Sequence, residues 1–157
     1  MSDDASPPTV RSLALADIPA VVALAKSCSE AAQWTPSAYE THFEDICGWV
    51  LTQEERVVGF LVLRSIISAQ EAEILNLAVD ENSRRKGYAS SLLQAALKDC
   101  ASCQINAVFL EARESNSRAI SFYEKHGFTP SSRRPGYYRN PDEAAVCMTR
   151  KLLPLSA

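Results

Sequence analysis

Three places in the chain combine residue types that chemistry uses with a setting able to position them. The first is Arg84-Arg85-Lys86-Gly87, between an apolar run and a helical stripe that begins at Tyr88. A helix start leaves backbone N–H groups without acceptors and carries partial positive charge, which suits a phosphate. Gly87 lets the backbone bend and approach a diphosphate with no side chain in the way. Arg84, Arg85 and Lys86 would add charge-assisted contacts. The same triplet read blandly is a solvated turn or a nucleic-acid patch, and a lone triplet in an acidic chain argues against nucleic acid. Neither GxxxxGK[ST] nor GxGxxG occurs, which speaks against a P-loop nucleotidase or a dinucleotide fold.

The second place is Glu111, at the end of the apolar run Ala107-Val108-Phe109-Leu110. A carboxylate there is costly unless it opens into a cleft, and partial burial would raise its pKa and make it a better base. The plain alternative is a strand-end glutamate paired with Arg113 or Lys125. The third place is the helix opened by Asn116, where Tyr123 shares a face with Ala119 and points back towards the strand ends. Asn116 suits a helix cap. For Tyr123 the competing assignment is a core aromatic like its neighbour Phe122.

These residues need a scaffold, and the pattern supplies one. Val10–Leu15 reads as a strand, Asp17 as the N-cap of a helix with Ile18, Val21, Val22 and Ala25 on one face, and residues 37–46 as a second helix. Two β-rich runs, 48–52 and 57–66, flank the polar turn 53–56 as a hairpin. Residues 73–79 form an apolar strand suited to burial on both faces. A helix over 88–101, a strand over 106–112 and a helix ended by Gly127 come next. A short strand 128–131, a loop holding Pro135, Gly136 and Pro141, and a strand 144–152 complete the order βαα-βββ-α-β-α-ββ. That order implies an α/β protein with one mixed sheet and helices on its faces.

With 157 residues, 46% hydrophobic, the chain suits one domain over 9–157 behind a loose tail at 1–8 closed by Pro7-Pro8. No run approaches the roughly 18–20 apolar residues of a membrane span, and the acidic, polar N-terminus is not a secretory signal. Five cysteines, an odd count without framework spacing, read as reduced thiols in a cytoplasm. The net charge of −3 hides an asymmetry: residues 1–78 carry four Lys+Arg against eleven Asp+Glu, and residues 79–157 twelve against eight. A basic second half suits an anionic cofactor and an acidic first half a basic substrate.

Arg84-x-x-Gly87-x-Ala89 after an apolar strand resembles the R/Q-x-x-G-x-G/A signature of the GNAT superfamily of acetyl-coenzyme A-dependent N-acetyltransferases. The segment Leu110-Glu111-Ala112-Arg113-Glu114-Ser115-Asn116, with Ala119, Ile120, Phe122, Tyr123, Glu124, Gly127 and Phe128, is similar to the other half of that family's cofactor site. Within the family it looks most like the ribosomal-protein-alanine N-acetyltransferases (RimI type), as do Arg133-Arg134-x-x-Tyr137-Tyr138 and Trp34-Thr35-Pro36-Ser37.

The resemblance implies a GNAT fold: a single mixed, mostly antiparallel sheet with splayed central strands. It implies acetyl-CoA held by the backbone of Leu77, Ala78 and Val79 and by Arg84, Arg85, Lys86, Gly87, Tyr88, Ala89 and Ser90, with Asn116 and Ala119 at the pantetheine arm. It makes Glu111 the general base, acting directly or through water, and Tyr123 the acid that protonates the coenzyme A thiolate. Trp34, Tyr137 and Tyr138 become a slot for a peptide N-terminus, the two tyrosines on alternate faces of an extended segment. The implied acceptor is the α-amine of a protein, such as a ribosomal protein starting with alanine. The chain departs from the subfamily where the peptide would lie, with a short connection after Tyr138 and Pro135-Gly136 before it. The rival readings are a small-molecule amine acetyltransferase with the same cofactor site and a non-catalytic acyl-coenzyme A-binding module.

Cys100-x-x-Cys103 follows a helix instead of opening one, and His42 and His126 are isolated, so neither redox nor metal chemistry is expected. His126, just before Gly127, reads as a cation favouring the helix end.

Overall fold

The computed structural model describes residues 6–152. Its elements are β1 (Thr9–Ser12), α1 (Ile18–Ser27), α2 (Pro36–Thr41), β2 (Ile46–Gln53), β3 (Arg56–Ile66), β4 (Glu71–Val79), α3 (Tyr88–Ser102), β5 (Ala107–Arg113), α4 (Ser117–Lys125), β6 (Thr129–Tyr138) and β7 (Glu143–Lys151). This is the element order read from the pattern, in an α/β protein whose seven strands form a mixed sheet ordered β1-β2-β3-β4-β5-β7-β6. Most of the tail read at 1–8 falls on residues 1–5, outside the described residues. Among the described residues no helix is long and apolar enough to cross a membrane.

Packing divides the chain into two compact units. One is built from the chain up to Ser65 with Leu75–Asp99, the other from Ile66–Ile74 with the chain from Cys100 onward. In the first unit, Ile18, Val21, Val22, Leu24 and Ala25 of α1 pack with Val50, Phe60 and Val62 of β2 and β3. Phe60 is fully buried, and cutting such a side chain back to alanine costs about 3–5 kcal/mol. Asp17 does not cap α1 with its side chain, as the spacing suggests. Its carboxylate instead accepts from Arg11 at 2.7 and 2.8 Å and from the Ala14 N–H at 2.8 Å. That bond closes a 3-10 turn over Leu15–Asp17, so β1 stops at Ser12 rather than at Leu15.

The helix read over 37–46 is shorter, because Phe43 and Ile46 are drawn into the α1 cluster and the chain re-enters the sheet at Ile46. Thr35 caps α2, accepting from the Ala38 N–H at 3.1 Å. The β2–β3 hairpin closes on Glu54 and Glu55, both at positive φ (52° and 64°). Those signs give the hand of turn that matches strand twist, here without the usual glycine.

In the second unit, β4 and β5 run parallel and pair from Glu71↔Ala107 to Glu73↔Phe109. β5 then pairs antiparallel with β7 along its whole length, and β7 with β6. Asn116 caps α4 through its side-chain oxygen on the Ala119 N–H at 3.2 Å. Gly127 ends α4 with φ +84°, and the Phe128 N–H reaches back to the Tyr123 carbonyl at 3.0 Å, a glycine C-cap. The cation at this helix end is Arg150, donating to the His126 carbonyl at 2.7 Å. His126 does not supply it, since burial and Arg150 hold the imidazole below its ordinary pKa. The segment read as a loop around Pro135 and Gly136 is strand: β6 runs through both. It lies at the sheet edge, where a missing N–H is tolerated.

Candidate active site

In the first unit the phosphate turn grows from the end of β4. Asp80 accepts from the Asn82 N–H at 3.4 Å and holds Arg56 at 2.6 Å, which starts a 3-10 turn over Glu81–Ser83. The chain then passes through two left-handed residues, Arg85 (φ 66°) and Gly87 (φ 78°). The Gly87 carbonyl accepts the Ser91 N–H at 3.0 Å and the Ser91 hydroxyl at 3.1 Å. The helix therefore begins at Gly87, and the N–H groups of Tyr88 and Ala89 have no acceptor inside it. A Cβ placed on Gly87 would meet nothing within 4 Å. An open backbone cradle at the start of a 15-residue helix, flanked by the exposed cations Arg85 and Lys86, fits a diphosphate.

Two side chains there are tied within the protein. Arg84 is half-buried, its Nε donating to the Val79 carbonyl at 3.3 Å and its Nη2 reaching Cys28 Sγ at 3.7 Å. Its guanidinium ties the turn to the end of β4, which leaves Arg85 and Lys86 as the cations facing solvent. Tyr88 is buried and donates to Gln53 Oε1 at 3.3 Å, so it offers an anion only its backbone.

β4 carries an irregularity that composition did not reveal. Leu75 and Ala78 both pack on the α1 cluster although they lie three residues apart, whereas a regular strand alternates faces every residue. The same signature in β3 has a visible cause. Val57 and Phe60 share that cluster, and between them the register with β2 slips, from Val57↔Thr52 to Gly59↔Leu51. Asn76, buried within β4, is satisfied by the α1–α2 connection, accepting from the Ala32 N–H at 3.2 Å and donating to the Ala32 carbonyl at 2.9 Å. Trp34 of that connection packs on Tyr39 with ring centroids 5.0 Å apart and is partly buried against the same cluster.

In the second unit Glu111 sits on β5 opposite Cys147 of β7, its side chain 12% exposed. It pairs with neither Arg113 nor Lys125. Arg134 of β6 places Nη1 3.3 Å from Glu111 Oε1, and the Cys147 thiol donates to the same oxygen at 3.7 Å. The neighbouring Glu111 carboxylate, more than burial, raises the Tyr137 pKa. Arg113 is engaged elsewhere, on Glu143 and on the carbonyls of Arg139 and Pro141, and lies 4.5 Å over the Tyr138 ring.

Tyr138 is half-buried, and burial pushes its phenol up to about 12. The two tyrosines do not occupy opposite faces as an extended segment would place them. Their rings meet edge to face at 5.0 Å, because the β6–β7 register slips between Arg134 and Tyr138. Arg134 and Cys147 are partners of Glu111 that sequence reasoning missed. The Glu111↔Cys147 pairing is long-range, and no local spacing encodes it.

Tyr123 is buried on α4, edge-on to Phe128 at 5.4 Å, while Phe122 beside it is only half-buried. Burial alone lifts the Tyr123 pKa well above the ordinary phenol value, so the hydroxyl keeps its proton throughout the neutral range. Its ring thus has a packing role, and its hydroxyl stays protonated. The Asn116 side-chain oxygen is committed to the cap, which leaves its amide nitrogen for a ligand.

The fold is that of an α/β protein with one mixed seven-stranded sheet, and the class follows from comparison with known proteins. The chain belongs to the acetyltransferase (GNAT) family, whose model matches residues 18–128, and it is an acetyl-CoA-dependent acetyltransferase. It is 29% identical over 151 residues to the [ribosomal protein bS18]-alanine N-acetyltransferase of Escherichia coli K12, covering 94% of this chain and 98% of that protein. It is 34% identical over 110 residues to an N-alpha-acetyltransferase of Saccharolobus solfataricus, covering 68% and 64%. The crystal structure of the E. coli ribosomal-protein-S18-alanine N-acetyltransferase superposes with a TM-score of 0.84 at 26% identity, covering 96% and 97%.

Proposed function

We propose that the enzyme transfers acetyl directly from acetyl-CoA to the N-terminal α-amine of a protein, with a ribosomal protein that begins with alanine as acceptor. The observation that carries this reading is the cluster on Glu111: a mostly buried carboxylate held by Arg134 and Cys147 beside an exposed tyrosine, Tyr137. An α-amine has a pKa of about 7.7–8.0, so a carboxylate base suffices to take its proton. The neutral nitrogen attacks the thioester carbonyl, forming the C–N bond, and collapse of the intermediate breaks the C–S bond. Glu111 takes the amine proton, directly or through water, and Tyr123 returns one to the departing thiolate.

The backbone of Leu77, Ala78 and Val79 lies beyond the stretch of β4 paired with β5 and would hold pantetheine as an added strand. Its amides would serve the oxyanion. Gly87, Tyr88, Ala89 and Ser90 would take the diphosphate, helped by Arg85 and Lys86 and with Arg84 fixing the turn. Asn116 and Ala119 would meet the pantetheine arm, and Trp34, Tyr137 and Tyr138 the acceptor peptide. The names of the bS18-alanine and N-alpha relatives support a protein N-terminus as substrate.

The test is acetyl transfer to peptides copied from ribosomal-protein N-termini, read by mass spectrometry beside polyamines and free amino acids. Acetylation of the alanine-initiated peptide at its α-amine, well ahead of the small amines, is the expected result. Preference for a polyamine would overturn the assignment of the acceptor while leaving the enzyme class intact.

A further inference from the structure

Arg113 of β5 and Arg133 and Arg134 of β6 are held very differently. Arg113 is locked between Glu143 and two backbone carbonyls. Arg133 is forked onto Glu114 through Nε and Nη2 at 2.9–3.2 Å. Among the described residues Arg134 has one ion-pair partner, Glu111 Oε1 at 3.3 Å, with its guanidinium 5.7 Å over the Tyr137 ring and its side chain 60% exposed. Of these three, the most loosely held is therefore the one resting on the carboxylate assigned as base.

The chain spends structure to bring it there. Between Arg134↔Ala145 and Tyr138↔Glu143, β6 advances four residues while β7 advances two, around Gly136 at φ 63°. In a straight strand, residues three apart face opposite ways, and this bulge lets Arg134 and Tyr137 both turn to Glu111. Glu111 lies across β7 opposite Cys147, and Arg134 opposite Ala145, so the arginine must pass diagonally over β7. Ala145 and Cys147 are small and buried, which gives its aliphatic stem a path.

Resting on the reading of Glu111 as base, we propose that Arg134 is an internal stand-in for the acceptor's ammonium group. It is a displaceable cation that occupies Glu111 until a charged amine exchanges with it, and so it sets the preference for cationic acceptors. A guanidinium N–H and an ammonium N–H present the same charge-assisted donor to a carboxylate. Exposed single-contact pairs are weak, so exchange is inexpensive. Cys147 and Tyr137 stay behind to orient Glu111 once Arg134 has swung away. Arg134 is thus a specificity residue acting through Glu111.

The experiment is steady-state kinetics of Arg134→Ala and Arg134→Lys with an alanine-initiated peptide, with guanidinium ion as competitor. For Arg134→Ala the peptide KM should fall about two- to fivefold, with kcat held within about twofold, the range set by one exposed ion pair. The KM for acetyl-CoA should not move. Guanidinium should compete with the peptide at lower concentration in Arg134→Ala than in the parent, because the place it mimics is vacant, and Arg134→Lys should behave like the parent. An unchanged or raised peptide KM overturns the proposal. So does a fall in kcat that guanidinium restores, which would make Arg134 a support for Glu111. Glu111→Gln separates the two layers: undiminished turnover with an unaltered pH–rate profile there would remove the base assignment itself, whatever Arg134 does.

Discussion

The turn after β4 and the cluster on β5–β7 are built on opposite principles. The turn is made of consecutive residues: two left-handed positions, a helix start and a glycine within a dozen positions. On the proposed reading its working groups are backbone amides, and the side chains of Asp80 and Arg84 hold its shape. The cluster is made of side chains from three strands, brought together by a register and a bulge. The first is fixed by local backbone geometry and should tolerate side-chain change except where a Cβ or a charge intrudes. The second should be sensitive to individual side-chain atoms and indifferent to local backbone preference.

The largest effect expected is at Gly87. Gly87→Glu puts an anion into the cradle at φ 78° and should abolish acetyl-CoA binding in calorimetry. Gly87→Ala adds only backbone strain of roughly 1–2 kcal/mol in the free protein, where a Cβ has open space. A Glu variant that binds like the parent would refute the turn assignment. Tyr123→Phe is the counterpart on α4. Loss of a general acid should cost about a hundredfold in kcat, with acetyl-CoA affinity unchanged. The phenylalanine ring keeps the edge-on contact with Phe128, so the change should leave thermal stability nearly untouched. Unchanged kcat would reduce Tyr123 to a core aromatic.

The same contrast explains what could be read from the letters. Gly87 and Gly127 carry their backbone signs openly, and Asn116 its cap, so the turn and α4 were legible residue by residue. The order of elements followed from apolar periodicity. What failed was long-range or register-dependent. Nothing local reveals that the Arg84 guanidinium reaches the Val79 carbonyl and Cys28. Pro135-Gly136 looked like a loop because proline and glycine punctuate most segments, yet at a sheet edge they mark a bulge. Arg134 and Cys147 could not be tied to Glu111 until the β5–β7 pairing was known. The irregularity in β4, inferred here from Leu75 and Ala78 facing the same cluster, has no compositional trace at all.

A medium effect should separate the basic residues of the turn. Arg84→Met removes the tie to Val79 and should weaken acetyl-CoA about tenfold by loosening the cradle, with little dependence on salt. Arg85→Met and Lys86→Met remove exposed charges and should weaken it only about two- to threefold each, an effect that fades at high ionic strength. Calorimetry at low and high salt reads both. If Arg84→Met instead showed the steeper salt dependence, its guanidinium would be a direct partner of the diphosphate and the turn would be less of a backbone device than described.

An effect on stability alone lies away from both regions, at Asp17, and calibrates them. Arg11 donates to its carboxylate and Ala14 adds a backbone N–H, so its pKa is lowered in the folded state, chiefly by the Arg11 hydrogen bonds. A carboxylate whose folded pKa is depressed stabilises the fold fully above its unfolded pKa, about 3.9, and loses that contribution as pH falls through the folded value. Asp17→Asn should therefore cost about 1 kcal/mol at neutral pH, discounted because Arg11 is 46% exposed. The gap between variant and parent should close as pH drops below 4. Thermal melts across that range check the sign, and a gap that widened on acidification would mean that Asp17 holds β1 by something other than its charge.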